Sequence, residues 1–234
     1  MKQPDTRMKY VETFDRGPGG WFGWDQSGFH AFELHDGAVV SHSPWWVDYN
    51  HAPPGAGYLH IVFGLHTKDG ELARKVAGEN RFVAGKYPTD FTNARITVRI
   101  KGDLDSRGAQ LVLLAQAETQ PGRPRINSVL IAQPIRVTPE WSEQTITCVP
   151  DNGQWTCLGS RHSAMDNFGW GPIAPVLKDL NLDILFVLFP LKIVPTVPVE
   201  GDMHLRRAGR DYLLDLSRLP SGHVMLDEVR IEFP

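Results

Sequence analysis

Within the stretch Tyr58-Leu-His-Ile-Val-Phe-Gly-Leu-His66 the chain carries a phenol and two imidazoles. Groups of this kind transfer protons near neutral pH or hydrogen-bond a polar ligand. Leu59, Ile61, Phe63 and Leu65 fall on odd positions, and Tyr58, His60 and His66 fall on even ones. Side chains alternate across a strand, so one register would bury the four apolar residues and present the chemical ones on the opposite face. Just upstream, Trp45-Trp46-Val-Asp48-Tyr49-Asn50-His51 sets flat rings beside hydrogen-bonding groups. Sugars stack their C–H faces on such rings while polar side chains satisfy their hydroxyls. Adjacent tryptophans in an extended loop point different ways, so one of the pair serves as platform and the other as anchor.

Two further strands extend the candidate surface. Arg95 and Arg99 alternate with Ile96, Val98 and Ile100, while Gln110 and Gln116 bracket an apolar run. If these polar faces converge, they suit either recognition of an anionic sugar or proton abstraction beside a carboxylate. In the latter chemistry His60 is the preferred base and Tyr58 the preferred acid, and an Arg or Gln neutralises the enolate. Trp45, Trp46, Tyr49, His51, His66, Arg95, Arg99, Gln110 and Gln116 are then the ligand-binding set. Asp25, Glu33 and Asp48 are carboxylates available for glycoside hydrolysis, although no spacing singles them out. Use of the exposed tryptophans as a protein interface is a third reading.

The elements that must position these groups read as strands. Eighteen prolines and 22 glycines punctuate the chain at short intervals, and helical periodicity is scarce. Roughly ten short strands make an all-β sandwich of jelly-roll type, with residues 1–234 as one domain. Asp183 to Phe189 is apolar on both faces and belongs at the centre of a sheet. Glu71 to Val76 reads as a helical turn or a lid. Asn152-Gly153 suggests a tight hairpin turn that would bring Cys148 opposite Cys157, either as a disulfide or as two free thiols. Trp21, Trp24, Trp155 and Trp170 read as core or edge cover rather than binding residues.

Charge and motifs narrow the chemistry. Twenty-four basic and 27 acidic residues give a net charge of −3 with no long run of either sign, so no footprint for nucleic acid is expected. No apolar run reaches membrane-spanning length and the first ten residues lack a secretory pattern, so the expectation is a soluble, cytoplasmic protein, or a secreted one if a leader has been removed. No HExxH helix, phosphate-binding loop or nucleophile elbow occurs. His60 and His66 stand about 20 Å apart on an extended strand, too far to share a metal.

Glu12-Thr-Phe14, followed by a Gly-rich turn and Trp21, and Leu226-Asp-Glu-Val-Arg-Ile-Glu-Phe233 at the other end resemble the opening and closing strands of the galactose-binding-like β-jelly rolls, especially carbohydrate-binding modules. The resemblance covers about a tenth of the chain. It implies a carbohydrate ligand and a structural calcium held between Glu12 and Asp227, with backbone carbonyls completing the oxygen shell.

Overall fold

In a computed structural model the fold is described for residues 8–48, 58–68, 71–159, 168–202, 206 and 208–234. It is a β-sandwich of two almost wholly antiparallel sheets. The strands are β1 (Lys9–Glu12), β2 (Trp21–Asp25), β3 (Gly28–His30), β4 (Glu33–His35), β5 (Ala38–His42), β6 (Tyr58–His66), β7 (Arg95–Asp105), β8 (Gln110–Ala117), β9 (Arg125–Leu130), β10 (Ser142–Thr147), β11 (Trp155–Cys157), β12 (Phe168–Gly169), β13 (Asp183–Leu191) and β14 (Ser221–Glu232). Among the described residues the α-helices are short: α1 (Glu71–Ala77), α2 (Arg81–Ala84) and α3 (Ile173–Lys178). The first sheet runs β10-β7-β14-β5-β4, with β1 also on β14, and the second runs β11-β9-β8-β13-β6-β2-β3, with β12 on β9. Among the described residues no helix is long and apolar enough to cross a membrane.

Alternation explains most of this architecture. On β7, Ile96, Val98 and Ile100 point between the sheets, while Arg95, Thr97 and Arg99 face outward. On β14, Val224, Leu226, Val229 and Ile231 do the same, and a register shift next to Asp227 leaves both Asp227 and Glu228 outward. The second sheet is buried on both faces. Leu111, Leu113, Ile184, Phe186 and Leu188 enter the core between the sheets. Val112, Leu114, Leu185, Val187 and Phe189 form a second apolar cluster on the outer side with Ala73 and Ala77 of α1. β13 lies between β8 and β6, as its uninterrupted apolar run predicts.

β6 departs from simple alternation. Phe63 pairs with Phe186 but Ile61 pairs with Val187, so Val62 is an extra residue, a β-bulge. A bulge puts two residues against one and flips the facing of everything beyond it. Phe63 and Leu65 therefore point into the core, whereas Leu59 and Ile61 point to the outer cluster. Tyr58, His60 and Val62 take the core-facing side, and His60 is wholly buried. The expectation of one apolar and one chemical face along the whole strand is thus corrected.

The hairpin expected at Asn152-Gly153 is corrected as well. The Asp151 side chain accepts from Gly153 N at 2.9 Å and Gln154 N donates to Asp151 O, closing a 3₁₀ turn over Asn152–Gln154. β10 belongs to the first sheet and β11 to the second, so the segment crosses the sandwich. Both cysteines are free thiols, and burial pushes the Cys148 thiol up to about 12.

Candidate functional site

The second sheet ends at β3 and the first at β4, and the chain passes from one edge to the other through His30-Ala31-Phe32-Glu33. Beside this crossing lies a cleft of about 340 Å³, lined in part by Trp24, Asp25, His30, Glu33, Trp45 and Trp46. Val40, Ser41 and His42 of β5 form its floor on the first sheet, and Pro44 stands next to the tryptophans. Phe32, between His30 and Glu33, is buried and lies against Phe63, which anchors the crossing to the core. Three indoles, two carboxylates and two imidazoles therefore meet where the sandwich is open.

Each group is held by its neighbours. Asp25 Oδ1 accepts from Ser27 N at 2.7 Å and Ser27 Oγ at 2.6 Å. The Ser27 hydroxyl is the main cause holding the Asp25 carboxyl below its usual range. His30 Nδ1 lies 3.5 Å from Asp25 Oδ2, near enough to feel its charge but without hydrogen-bond geometry. Burial lowers the His30 pKa, His42 adds to that, and Asp25 opposes it. The His30 ring covers Gly23, its partner across the β2–β3 pair, where any Cβ would overlap Nε2. Trp24 packs edge-on against Phe29, with ring centroids 4.7 Å apart. Trp45 Nε1 donates to Ser41 Oγ at 2.8 Å, which fixes its ring.

Two polar atoms of the cleft residues, Trp24 Nε1 and His30 Nδ1, are buried without a hydrogen-bond partner. A buried donor left unpaired costs about 1–3 kcal/mol. Folded proteins pair the great majority of such groups, so these two stand out.

His60 stands behind this cleft. Its ring lies 6.0 Å from Trp45, and Nδ1 is 2.7 Å from the Trp46 carbonyl. A carbonyl only accepts, so Nδ1 carries the proton and Nε2 is left as a buried acceptor without a partner. Burial brings the His60 pKa down to about 4. Tyr58, also buried, meets the Tyr212 hydroxyl at 3.2 Å. The chosen acid and base thus face the core.

His66 lies beyond the bulge, on the outer face of the second sheet. There Asp183 is its cross-strand neighbour and bonds Nδ1, Gln116 is the next residue across, and Asn127 follows. Gln116 Nε2 donates to Asn127 Oδ1 at 2.9 Å. The structure therefore brings His66 and Gln116 into one polar row through Asp183, a partner that the alternation pattern does not reveal. Gln110 sits at the other end of β8, opposite Phe189. Arg95 and Arg99 project from the outer face of the first sheet, where Arg95 meets Glu232 and Arg99 meets Asp227 and lies 4.8 Å from the Trp141 ring. The expected convergence of all three polar faces does not occur, because β7 belongs to the other sheet and the bulge in β6 turns Tyr58 and His60 into the core. Tyr49 and His51 lie outside the described residues.

Glu12 and Asp227 are not brought together. Glu12 is buried and faces inward, held by Arg81 through Nε at 2.8 Å and Nη2 at 2.7 Å, whereas Asp227 faces outward on Arg99. Each carboxylate already has a guanidinium, and the sheet separates them. Among the described residues no group of three or more His, Cys, Asp or Glu is placed to hold a metal ion.

Sequence reasoning names Trp45 and Trp46 as ligand residues and Asp25 and Glu33 as spare carboxylates, but it misses Trp24, His30, Ser41 and His42. The Asp36-Gly37 turn signals only the β4–β5 hairpin of the first sheet, and nothing in the spacing marks the crossing from β3 to β4 that gathers these residues.

No family profile and no curated protein matches the chain. A solved structure from work on the endo-acting O-glycanases that prominent members of the human gut microbiota express to initiate mucin breakdown is similar to it over 98% of this chain and 93% of that one, at 10% identity and a TM-score of 0.36. A likeness at that level carries no argument.

Proposed function

We propose that this protein recognises a carbohydrate and that the ligand lies in the cleft between β3 and β4–β5. The observation that carries this reading is the meeting of Trp24, Trp45 and Trp46 with Asp25, Glu33, His30 and His42 around open volume. Aromatic rings supply surfaces for the C–H faces of a pyranose, and the carboxylates and imidazoles supply hydrogen bonds to its hydroxyls. A cleft of about 340 Å³ is within the range of small-ligand sites, large enough for one or two sugar rings.

A second reading, a carbohydrate-active enzyme, draws on one observation: two carboxylates share the cleft, and one of them has an imidazole 3.5 Å away. An Asp–His pair with a second carboxylate contains the groups needed for general acid and base work. One screen separates the two readings. The protein is titrated with a panel of neutral, acidic and amino oligosaccharides by calorimetry, and the same mixtures are followed for reducing ends and for ultraviolet absorbance. Binding without new reducing ends or absorbance supports recognition alone, and either product signal supports the enzyme. No heat and no product across the panel would contradict both.

A further inference from the structure

We infer that the cleft selects a sugar bearing a protonated amine over neutral or acidic sugars. This inference rests on the carbohydrate reading above and sharpens it. Its basis is the charge of the walls. Among the described residues, the lining contains two carboxylates, Asp25 and Glu33, and no Lys or Arg. Asp25 is held ionised by its two bonds from Ser27, both to Oδ1, which leaves Oδ2 turned toward His30. His30 is partly buried, its Nδ1 makes no hydrogen bond, and burial lowers its pKa, which disfavours a charged ring beside Asp25. Glu33 is exposed at the mouth.

The tryptophans act in the same direction. An ammonium group is attracted to the face of an indole, and more strongly where water is partly excluded. A carboxylate ligand meets the opposite condition, because it would approach two like charges with no cation to receive it, and such juxtaposition is costly. Arginines that could receive an acidic sugar exist, but Arg95 and Arg99 stand on the outer face of the other sheet with their own carboxylate partners. The anionic sugar that a converged Arg and His face would select is therefore replaced by a cationic one.

Three probes decide the matter: a β-1,4-linked glucosamine hexamer, its fully N-acetylated counterpart and hexagalacturonate, each titrated into the full chain by calorimetry near pH 6. The account expects the free-amine hexamer to bind about tenfold more tightly than the acetylated one, in keeping with one charge-assisted contact, and the uronate to bind most weakly. Glu33→Gln should bring the amine-to-acetyl ratio toward one. Glu140→Gln, an exposed carboxylate near β10 at the far edge of the first sheet, should leave the ratio unchanged and so controls for general attraction to an acidic protein. Equal binding of the amine and acetyl forms, or tightest binding of the uronate, overturns the inference while leaving carbohydrate recognition in place. A preference that survives in both Glu33→Gln and Asp25→Asn also overturns it, because the charge would then be read elsewhere. No binding of any probe removes the inference and the reading beneath it together.

Discussion

Around Glu12 a carboxylate, a tryptophan and a base satisfy one another, whereas around Asp25 the same kinds of group do not. Arg81 grips both Glu12 oxygens and also donates to the Arg16 and Gly17 carbonyls, at 3.1 and 2.6 Å. Phe14 N adds a bond to Glu12, and the Trp21 indole donates to the Tyr10 hydroxyl, which in turn reaches Glu12. That network leaves nothing over, and it ties the first strand to α2. In the edge cleft, by contrast, the Trp24 indole N–H and His30 Nδ1 are unpaired, and Asp25 Oδ2 faces an imidazole it does not bond. The difference separates a cluster whose polar atoms are satisfied within the chain from one whose polar atoms are not. Residue types alone do not tell the two apart, because what distinguishes them is whether each polar atom is satisfied within the chain.

The largest expected effect tests the satisfied side. Glu12→Gln leaves the Arg81 guanidinium without its counter-ion in a largely buried place, and the loss should be about 3 kcal/mol in a urea titration. Affinity of the folded fraction for a saccharide should not change. A mild effect on stability with a large one on affinity would reverse the comparison.

Next in size is a pH effect at His60. Its folded pKa of about 4 lies below the ordinary value of 6.5, so the folded state holds it neutral while the unfolded chain takes up a proton. Its contribution is complete above pH 6.5, declines as the pH falls toward 4 and is flat below that, by at most about 3 kcal/mol. Urea midpoints measured between pH 7 and 4 should show this decline. His60→Met should flatten it, and an unchanged slope in that variant would place the proton uptake elsewhere.

A smaller effect probes the cleft without touching a ligand. Gly23→Ala puts a methyl where the His30 ring lies, and the ring is partly exposed and can swing aside. Stability should change by about 1 kcal/mol or less, while affinity falls about fivefold because His30 has left its place. Equal affinity in this variant would remove His30 from the site.

The same contrast shows what the sequence reveals. β7 follows from periodicity alone, since it keeps one register over its apolar residues, and β13 follows from its uninterrupted apolar run, whereas β14 changes register beside Asp227. β6 does not follow from its pattern, because one inserted residue at Val62 reverses the facing of Tyr58 and His60, and a local alternation pattern cannot show that insertion. Cys148 and Cys157 mislead for a related reason, as an Asn-Gly pair favours a hairpin but here sits in a crossing between sheets. Trp45, Trp46, Asp25 and Glu33 are visible as candidates, yet their meeting depends on two sheet edges joined through His30 to Glu33, a long-range arrangement that no spacing encodes. His66 and Gln116 reach the same face of the second sheet, but β13 runs between their strands, and the Asp183 that joins them is not marked by alternation on either one.

The most direct test of the central claim, that the cleft keeps polar groups unpaired for a ligand, is Trp24→Phe followed by stability and affinity in the same preparation. The substitution keeps an aromatic ring against Phe29 and removes a buried donor that has no partner. The account predicts a protein as stable as the parent or about 1 kcal/mol more stable, with saccharide affinity reduced about tenfold. A variant that loses stability while binding as well as the parent would show the indole to be structural and would contradict the account.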